Sequence, residues 1–400
     1  MDPEQPDSAI PAKRPLRVID HVGNNGGGIK YVLRLLDSLT TNWDVSLYAQ
    51  PLAVERYRHA AGGMSLALHP TWPLNLTPLL VERSPRFARW MAETGNDHHA
   101  WSYRVRSQDF HDRGVTFFPW LHRHDLEQFR GPGLGVFHDA IFFQIPELIG
   151  PRRLAMETDN LRTWFASLER IVVTSKHTKG RLLAVAGERW ADKVTVVAVA
   201  DFDGERPAPS PDGSSTRRFG RYLVMPAVAS PHKNHRLLFG AMRRSRGNWN
   251  LVLTGAGTVH NPATPLGQQV AASGIADRIF GLGHVSKTLV GELIASADAL
   301  VMPTLGEGGG SFPVCEAIVA GTPVICSNLD VIEEQLNRMN ARATLFDPRD
   351  EDALVQALDR LAEEPAAFRS LAREQIPGLR LRTWNDVAAD FSRLLAQTFG

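Results

Sequence analysis

Residues 303–317 read Pro303-Thr304-Leu305-Gly306-Glu307-Gly308-Gly309-Gly310-Ser311-Phe312-Pro313-Val314-Cys315-Glu316-Ala317, and their reading decides the fold. The apolar run Ala299-Leu300-Val301-Met302 leads straight into them and has the composition of a buried strand. The glycines at 308–310 let backbone approach a ligand closely. A helix is expected to begin near Pro313, because proline suits a first helical turn. Strand, glycine-rich turn, helix is a βα unit whose exposed N–H groups and dipole hold an anion such as a diphosphate. Glu316 falls early in that helix, and a carboxylate accepts two hydroxyl hydrogen bonds, which suits a ribose diol. The plainer alternative is a flexible loop, with Glu316 complementing the positive helix end.

The same alternation extends outward in both directions. Towards the N-terminus, Leu16–Asp20, Val45–Tyr48, Ser65–Leu68, Val115–Phe118, Leu134–Phe137 and Arg170–Thr174 read as strands. The first is followed by Gly23–Gly28 and then by Ile29, Val32, Leu33, Leu36 and Leu39 at helical spacing. Around the decisive stretch, Tyr222–Met225, Leu251–Thr254, Arg278–Phe280, Ala299–Met302 and Pro323–Cys326 read as strands. Asp352–Glu364 and Trp384–Thr398 read as amphipathic helices. Pro207, Pro209, Pro211, Gly213, Ser214 and Ser215 mark a linker. The expected division is a tail over 1–14, a Rossmann-like domain over 15–202, a linker over 203–220 and a second Rossmann-like domain over 221–380. Two doubly wound α/β domains in tandem place a ligand at the C-terminal ends of the strands.

Composition bounds what such a chain does. It has 400 residues, ample for two buried cores, with 43% hydrophobic and 22% charged residues. Lys and Arg number 44 against 43 Asp and Glu, so nothing global draws the chain to nucleic acid. Its two cysteines, Cys315 and Cys326, make no disulfide framework or zinc spacing and suit a reducing compartment. The Met1–Pro6 start, acidic and proline-rich, lacks a signal-peptide pattern. No run reaches the roughly 18–20 apolar residues of a membrane-spanning helix. The expectation is a cytoplasmic protein, with any membrane contact peripheral at the inner face. The Arg-, Trp- and His-rich stretch from Trp72 to His124 suits an acceptor groove or a membrane-facing patch, although its interleaved acids equally suit a solvated surface.

Glu307, the glycine loop, Glu316-Ala317 and then Gly321-Thr322-Pro323-Val324-Ile325 resemble the signature of family 4 retaining glycosyltransferases. The resemblance implies a GT-B fold, two facing Rossmann-like domains, with the helix over 381–400 returning to the first. It implies transfer of mannose or a related hexose from a nucleotide-diphosphate sugar to a glycan, lipid-linked or small-molecule acceptor, without metal or other cofactor. Phe137-His138-Asp139-Ala140 resembles the family's strand-end His-Asp, so His138 and Glu307 would flank the sugar. Ser230-Pro231-His232-Lys233-Asn234-His235 resembles the segment whose lysine neutralises the diphosphate, which falls to Lys233. Donor contacts would further come from Glu316, Gly309, Gly310, Ser311, Phe312 and Pro313, from His284 in the nucleobase loop, and from Gly27 and Gly28 in the first glycine loop. Val172–Thr178 resembles a segment whose Ser and Thr cap the next helix, a structural role.

Two departures stand out. The spacing from Glu307 to Glu316 is one residue longer than usual, which displaces Glu307. Near Ala227 the family's second cation is missing, which leaves Lys233, the Ser311–Phe312 backbone and His232 to carry the phosphate charge. These departures motivate an alternative, a weakened or non-catalytic binding or assembly subunit. A GT-B epimerase or phosphorylase fits the motifs less well. A dehydrogenase fits least, because neither domain opens with a G-x-G-x-x-G fingerprint.

Overall fold

The computed structural model describes residues 13–20, 27–62, 64, 66–73, 84, 86, 103–104, 114–121, 131–201, 206–210 and 213–400. The tail expected over 1–14 lies almost wholly outside them, as do Gly23–Gly26, residues 203–205 and 211–212 of the linker and most of the stretch from Trp72 to His124.

The strands are β1 (Arg14–Asp20), β2 (Trp43–Ala49), β3 (Ala67–Pro70), β4 (Trp72–Pro73), β5 (Tyr103–Arg104), β6 (Val115–Phe118), β7 (Gly133–Phe137), β8 (Arg170–Val173) and β9 (Val194–Val196), then β10 (Tyr222–Pro226), β11 (Asn250–Thr254), β12 (Ile279–Gly281), β13 (Ala299–Met302), β14 (Val324–Ser327) and β15 (Thr344–Phe346). The helices that frame the sheets and the site include α1 (Gly27–Leu39), α2 (Pro51–Ala61), α3 (Pro151–Ser167), α4 (Lys176–Ala186), α5 (His235–Arg244), α6 (Lys287–Ser296), α7 (Phe312–Ala320), α8 (Asp330–Met339), α9 (Glu351–Glu363) and α10 (Trp384–Phe399).

Two parallel sheets result, in the orders β3-β2-β1-β6-β7-β8-β9 and β12-β11-β10-β13-β14-β15. Every strand read from the sequence is present. β9 and β15, three residues each, and β4 and β5, two residues each, were not read from it. Strands β13 and β14 are buried along their whole length, as a parallel sheet covered on both faces requires. In each sheet the chain order reverses once, between β1 and β6 and between β10 and β13. Crevices at the strand ends beside such reversals are where open α/β sheets bind ligands.

The reversal in the second sheet governs the decisive stretch. α7 leaves β13 through residues 303–311 and stops at Gly321, whose left-handed φ of 76° brings its N–H back onto Ala317 and Ile318. That turn returns the chain into β14. Cys315 and Cys326 are free and buried, the former on α7 itself and the latter on β14.

The terminal helix α10 closes the molecule. A capping box between Thr383 and Asp386 starts it. Val387, Ala388, Phe391, Leu394 and Leu395 bury in the core of the first sheet beside α1. Asp201 locks this crossing. Its carboxylate is fully buried, pairs with Arg338 of α8 and accepts the Arg382 N–H at 3.0 Å, while its own N–H donates to the Arg382 carbonyl at 2.9 Å. One side chain thus joins the exit of the first domain, a helix of the second and the segment that returns.

Asp201→Asn leaves the Arg338 guanidinium without its anion. Arg338 keeps 24% side-chain exposure, so the expected loss is about 2–3 kcal/mol, below the roughly 3–5 of a fully buried pair. Chemical denaturation followed by circular dichroism measures it, and a midpoint equal to that of the parent would refute the lock.

Candidate active site

The two strands at the second reversal each deliver one charged side chain. The turn after β10 forms a short helix, Pro231–Lys233, held open at Asn234, which takes a left-handed φ of 59° and anchors its amide on the Pro348 carbonyl at 2.9 Å. This geometry aims Lys233 at the turn after β13. Its Nζ donates to Glu307 Oε1 at 2.5 Å, with side-chain exposures of only 16% and 10%. Thr304 and Leu305 stitch the two turns together by donating to the His232 carbonyl at 3.3 and 2.7 Å.

The first sheet contributes the other wall. Asp139 and His138 follow β7, and burial pushes the Asp139 carboxyl above its usual range, against the pull of Lys233. Burial likewise raises Glu307, again opposed by Lys233. Two carboxylates therefore share one ammonium. Burial pushes His138 down to about 4, so its ring is neutral at pH 7. Its Nε2 lies 2.8 Å from the Pro119 carbonyl and its ring sits against Trp120, with centroids 3.9 Å apart, and edge-on to Tyr31 at 4.7 Å. Tyr31 in turn meets Trp384 of α10 at 5.8 Å.

The loop glycines lie against the first domain. A Cβ on Gly308 would lie 2.1 Å from the His138 carbonyl oxygen, and one on Gly309 would lie 2.9 Å from Thr174 Cβ. These two glycines let the first domain approach closely. The Gly308 carbonyl accepts from Ser175 Oγ at 2.7 Å and Thr178 Oγ1 at 3.0 Å, and the Glu307 carbonyl from Gln144 Nε2 at 2.9 Å. Ser175 also caps α4, as expected, by accepting the Thr178 N–H at 2.9 Å. Gly310 has a φ of 104°, and a Cβ there would strike the Gln335 side chain.

The helix N-terminus is present, with one donor already engaged. α7 begins at Phe312, with Pro313 next. The Ser311 N–H donates to Gln335 Oε1 at 2.8 Å, so the first-turn donors left to an anion are those of Phe312 and Val314. Glu316 is half-buried on α7, one turn on from its start. His284 is exposed beyond β12, where its neighbour Gly283 donates to Thr258 Oγ1 at 3.0 Å. Gly27 and Gly28 open α1.

Burial, then Lys233 and His235, push the His232 ring down to about 4. Its Nδ1 lies 2.7 Å from Ser230 Oγ. Sequence reasoning missed Asp139 as a charged neighbour of Lys233, Gln335 behind the helix start, and Trp120 against His138. Asp139 was legible from its place beside His138; Gln335 gave no signal.

His138, His232 and His235 all sit at about 4, against an ordinary 6.5. Between those values the unfolded chain binds more protons, so their contribution to stability is present above about pH 6.5 and lost as the pH falls towards 4. Replacing His232 with Asn removes one of the three. The drop in denaturation midpoint between pH 7 and pH 4.5 should then be shallower than in the parent, and an unchanged drop would overturn the assignment.

The glycosyl transferases group 1 family matches residues 217–376, the second sheet and its helices. The MMP alpha-(1->4)-mannosyltransferase of Mycolicibacterium hassiacum is 27% identical over 238 residues, 57% of this chain but only 56% of that protein, little more than half its length. The O-antigen chain mannosyltransferase B of Escherichia coli is 26% identical over 288 residues, 68% of this chain and 72% of that protein. Among solved structures, Anabaena HepE in complex with UDP and glucose superposes with a TM-score of 0.67 at 15% identity, covering 96% of this chain and 100% of that one. The lipopolysaccharide glycosyltransferase WaaG gives 0.59 at 15% identity, covering 94% and 99%. Such likeness establishes the fold, which is GT-B. The family match over residues 217–376 takes in the signature residues that carry the family 4 resemblance.

Proposed function

We propose that this chain transfers a hexose, mannose or a close relative, from a nucleotide-diphosphate sugar to a glycan, lipid-linked or small-molecule acceptor in polysaccharide assembly. The observation that carries this reading is the buried Lys233–Glu307 pair, set by the two strands at the second reversal beside the start of α7. The mannosyltransferase relatives and the HepE complex with UDP and glucose support it.

In this reading the donor diphosphate takes the Phe312 and Val314 N–H groups and draws Lys233 from Glu307. A fixed ammonium there stabilises the charge that develops on the leaving phosphate. Glu316 receives the ribose hydroxyls. Glu307, released, and His138, whose neutral ring donates from Nε2 to the Pro119 carbonyl and so offers Nδ1 as an acceptor, flank the sugar. The anomeric configuration is retained, with the acceptor attacking on the leaving-group face and a phosphate oxygen receiving its proton. No metal or other cofactor takes part, and the protein works in the cytoplasm or at the inner face of the membrane. Among the described residues no helix is long and apolar enough to cross a membrane.

A thermal-shift screen of UDP-, GDP- and ADP-sugars identifies the donor, because a ligand that binds only the folded state raises the melting temperature. Lys233→Ala should lower transfer by roughly 10²–10³-fold, the scale of losing one fixed electrostatic donor, and Glu316→Ala should weaken donor binding by removing the acceptor of the ribose hydroxyls. Transfer should survive a chelator, and the product anomer read by NMR should match the donor's. Parental activity in the double variant would refute the site. Stabilisation by a donor without turnover would instead assign a binding subunit.

A further inference from the structure

The start of α7 lacks the means to cap itself. Ser311 occupies the cap position, yet its hydroxyl makes no capping bond. In a capping box the third helical residue reaches back to the cap residue's own N–H, and here that residue is Val314, which has nothing to offer. Gln335 of α8 supplies the missing acceptor from another helix. It is 2% exposed. Its Oε1 accepts the Ser311 N–H at 2.8 Å, and its Nε2 lies 2.7 Å from Cys315 Sγ and 3.4 Å from the Ser311 carbonyl. Gly310 is left-handed against the same amide, so the turn before α7 and the Gln335 side chain are shaped to one another.

The neighbouring residue faces the other domain. Glu334 receives the Lys176 N–H at 2.9 Å and the His177 N–H at 3.1 Å, the first two donors of α4. Successive side chains of α8 therefore cap two helices, one in each domain.

We infer that Gln335 is a positioning residue for donor binding: by completing the capping box of α7 in trans, it fixes the turn that presents the Phe312 and Val314 N–H groups to the donor's phosphates. The inference rests on the proposed nucleotide-sugar site. Without Gln335, a buried Ser311 N–H loses its acceptor, and an unmet donor of that kind drives the turn to rearrange. Phosphate recognition should suffer while the nucleobase end is untouched, since no contact of Gln335 reaches it.

The test uses the full chain and whichever of UDP, GDP or ADP stabilises the parent, with the matching nucleoside as the phosphate-free probe. If none of these diphosphates binds the parent, the proposed function fails first, and that outcome is read before any variant. Gln335→Met keeps the volume and removes the acceptor. Diphosphate Kd should rise at least about tenfold, with nucleoside Kd within about twofold of the parent. Equal losses for both probes, or none, would overturn the inference.

Gln335→Glu covers the case in which the Met variant does not fold. A protonated glutamic acid can still accept from Ser311 and donate onward, whereas the carboxylate places a negative charge behind the anion site. Diphosphate binding by this variant should weaken at least about tenfold more than the parent's between pH 6 and pH 8. A pH profile parallel to the parent's would overturn the inference, whatever the stability of either variant.

Discussion

Backbone meets backbone at Gly308. A side chain there would overlap the carbonyl of His138, so the turn after β13 lies directly against the strand ends of the first domain. That approach sets everything around it. The Gly308 carbonyl is held by two hydroxyls from the cap of α4, the Glu307 carbonyl by Gln144, and the Glu307 side chain is thereby delivered to Lys233. Asp201 fixes the far end of the same junction. Between these two anchors the C-terminal ends of both sheets face one another.

Among the described residues the site is electrostatically sparse. The two neutral histidines, 138 and 232, add no charge at pH 7, and the carboxylates of Glu307 and Asp139 both face a single ammonium. A buried ion pair costs desolvation that its attraction repays only in part. Stability alone is a poor reason to keep Lys233 and Glu307 here. A net charge of +1 for the chain conceals this entirely, because the charge that matters is one side chain and the end of one helix.

Much of this was legible in the sequence. Parallel strands buried on both faces are continuous apolar runs, so β10, β11, β13 and β14 announce themselves. Gly321 and Pro323 mark the stop of α7 by their backbone preferences alone. The pairing of Lys233 with Glu307 was reachable too, since both stand just beyond strand ends. What stayed hidden was the partner of each glycine. A glycine that admits a phosphate and one that admits another backbone leave the same letter in the sequence, so the approach of Gly308 and Gly309 to the first domain could not be read from it. Gln335 was hidden for a related reason. A buried glutamine on an amphipathic helix resembles a surface residue until the helix it faces is known.

The longer spacing between Glu307 and Glu316 gains a physical meaning from these contacts. A loop that must pass against His138 and Thr174, turn left-handed at Gly310 and still begin a helix at Phe312 needs room for each step. Glu307 lies where Lys233 reaches it, so the added residue does not remove it from the site. On the proposed reading the pair also sets a threshold for the donor. A ligand must offer Lys233 more than a carboxylate 2.5 Å away does, and a diphosphate at a helix N-terminus, carrying more charge than one carboxylate, meets that condition. A neutral sugar lacking the nucleotide cannot, so the ion pair works as a filter for the activated donor over the free hexose.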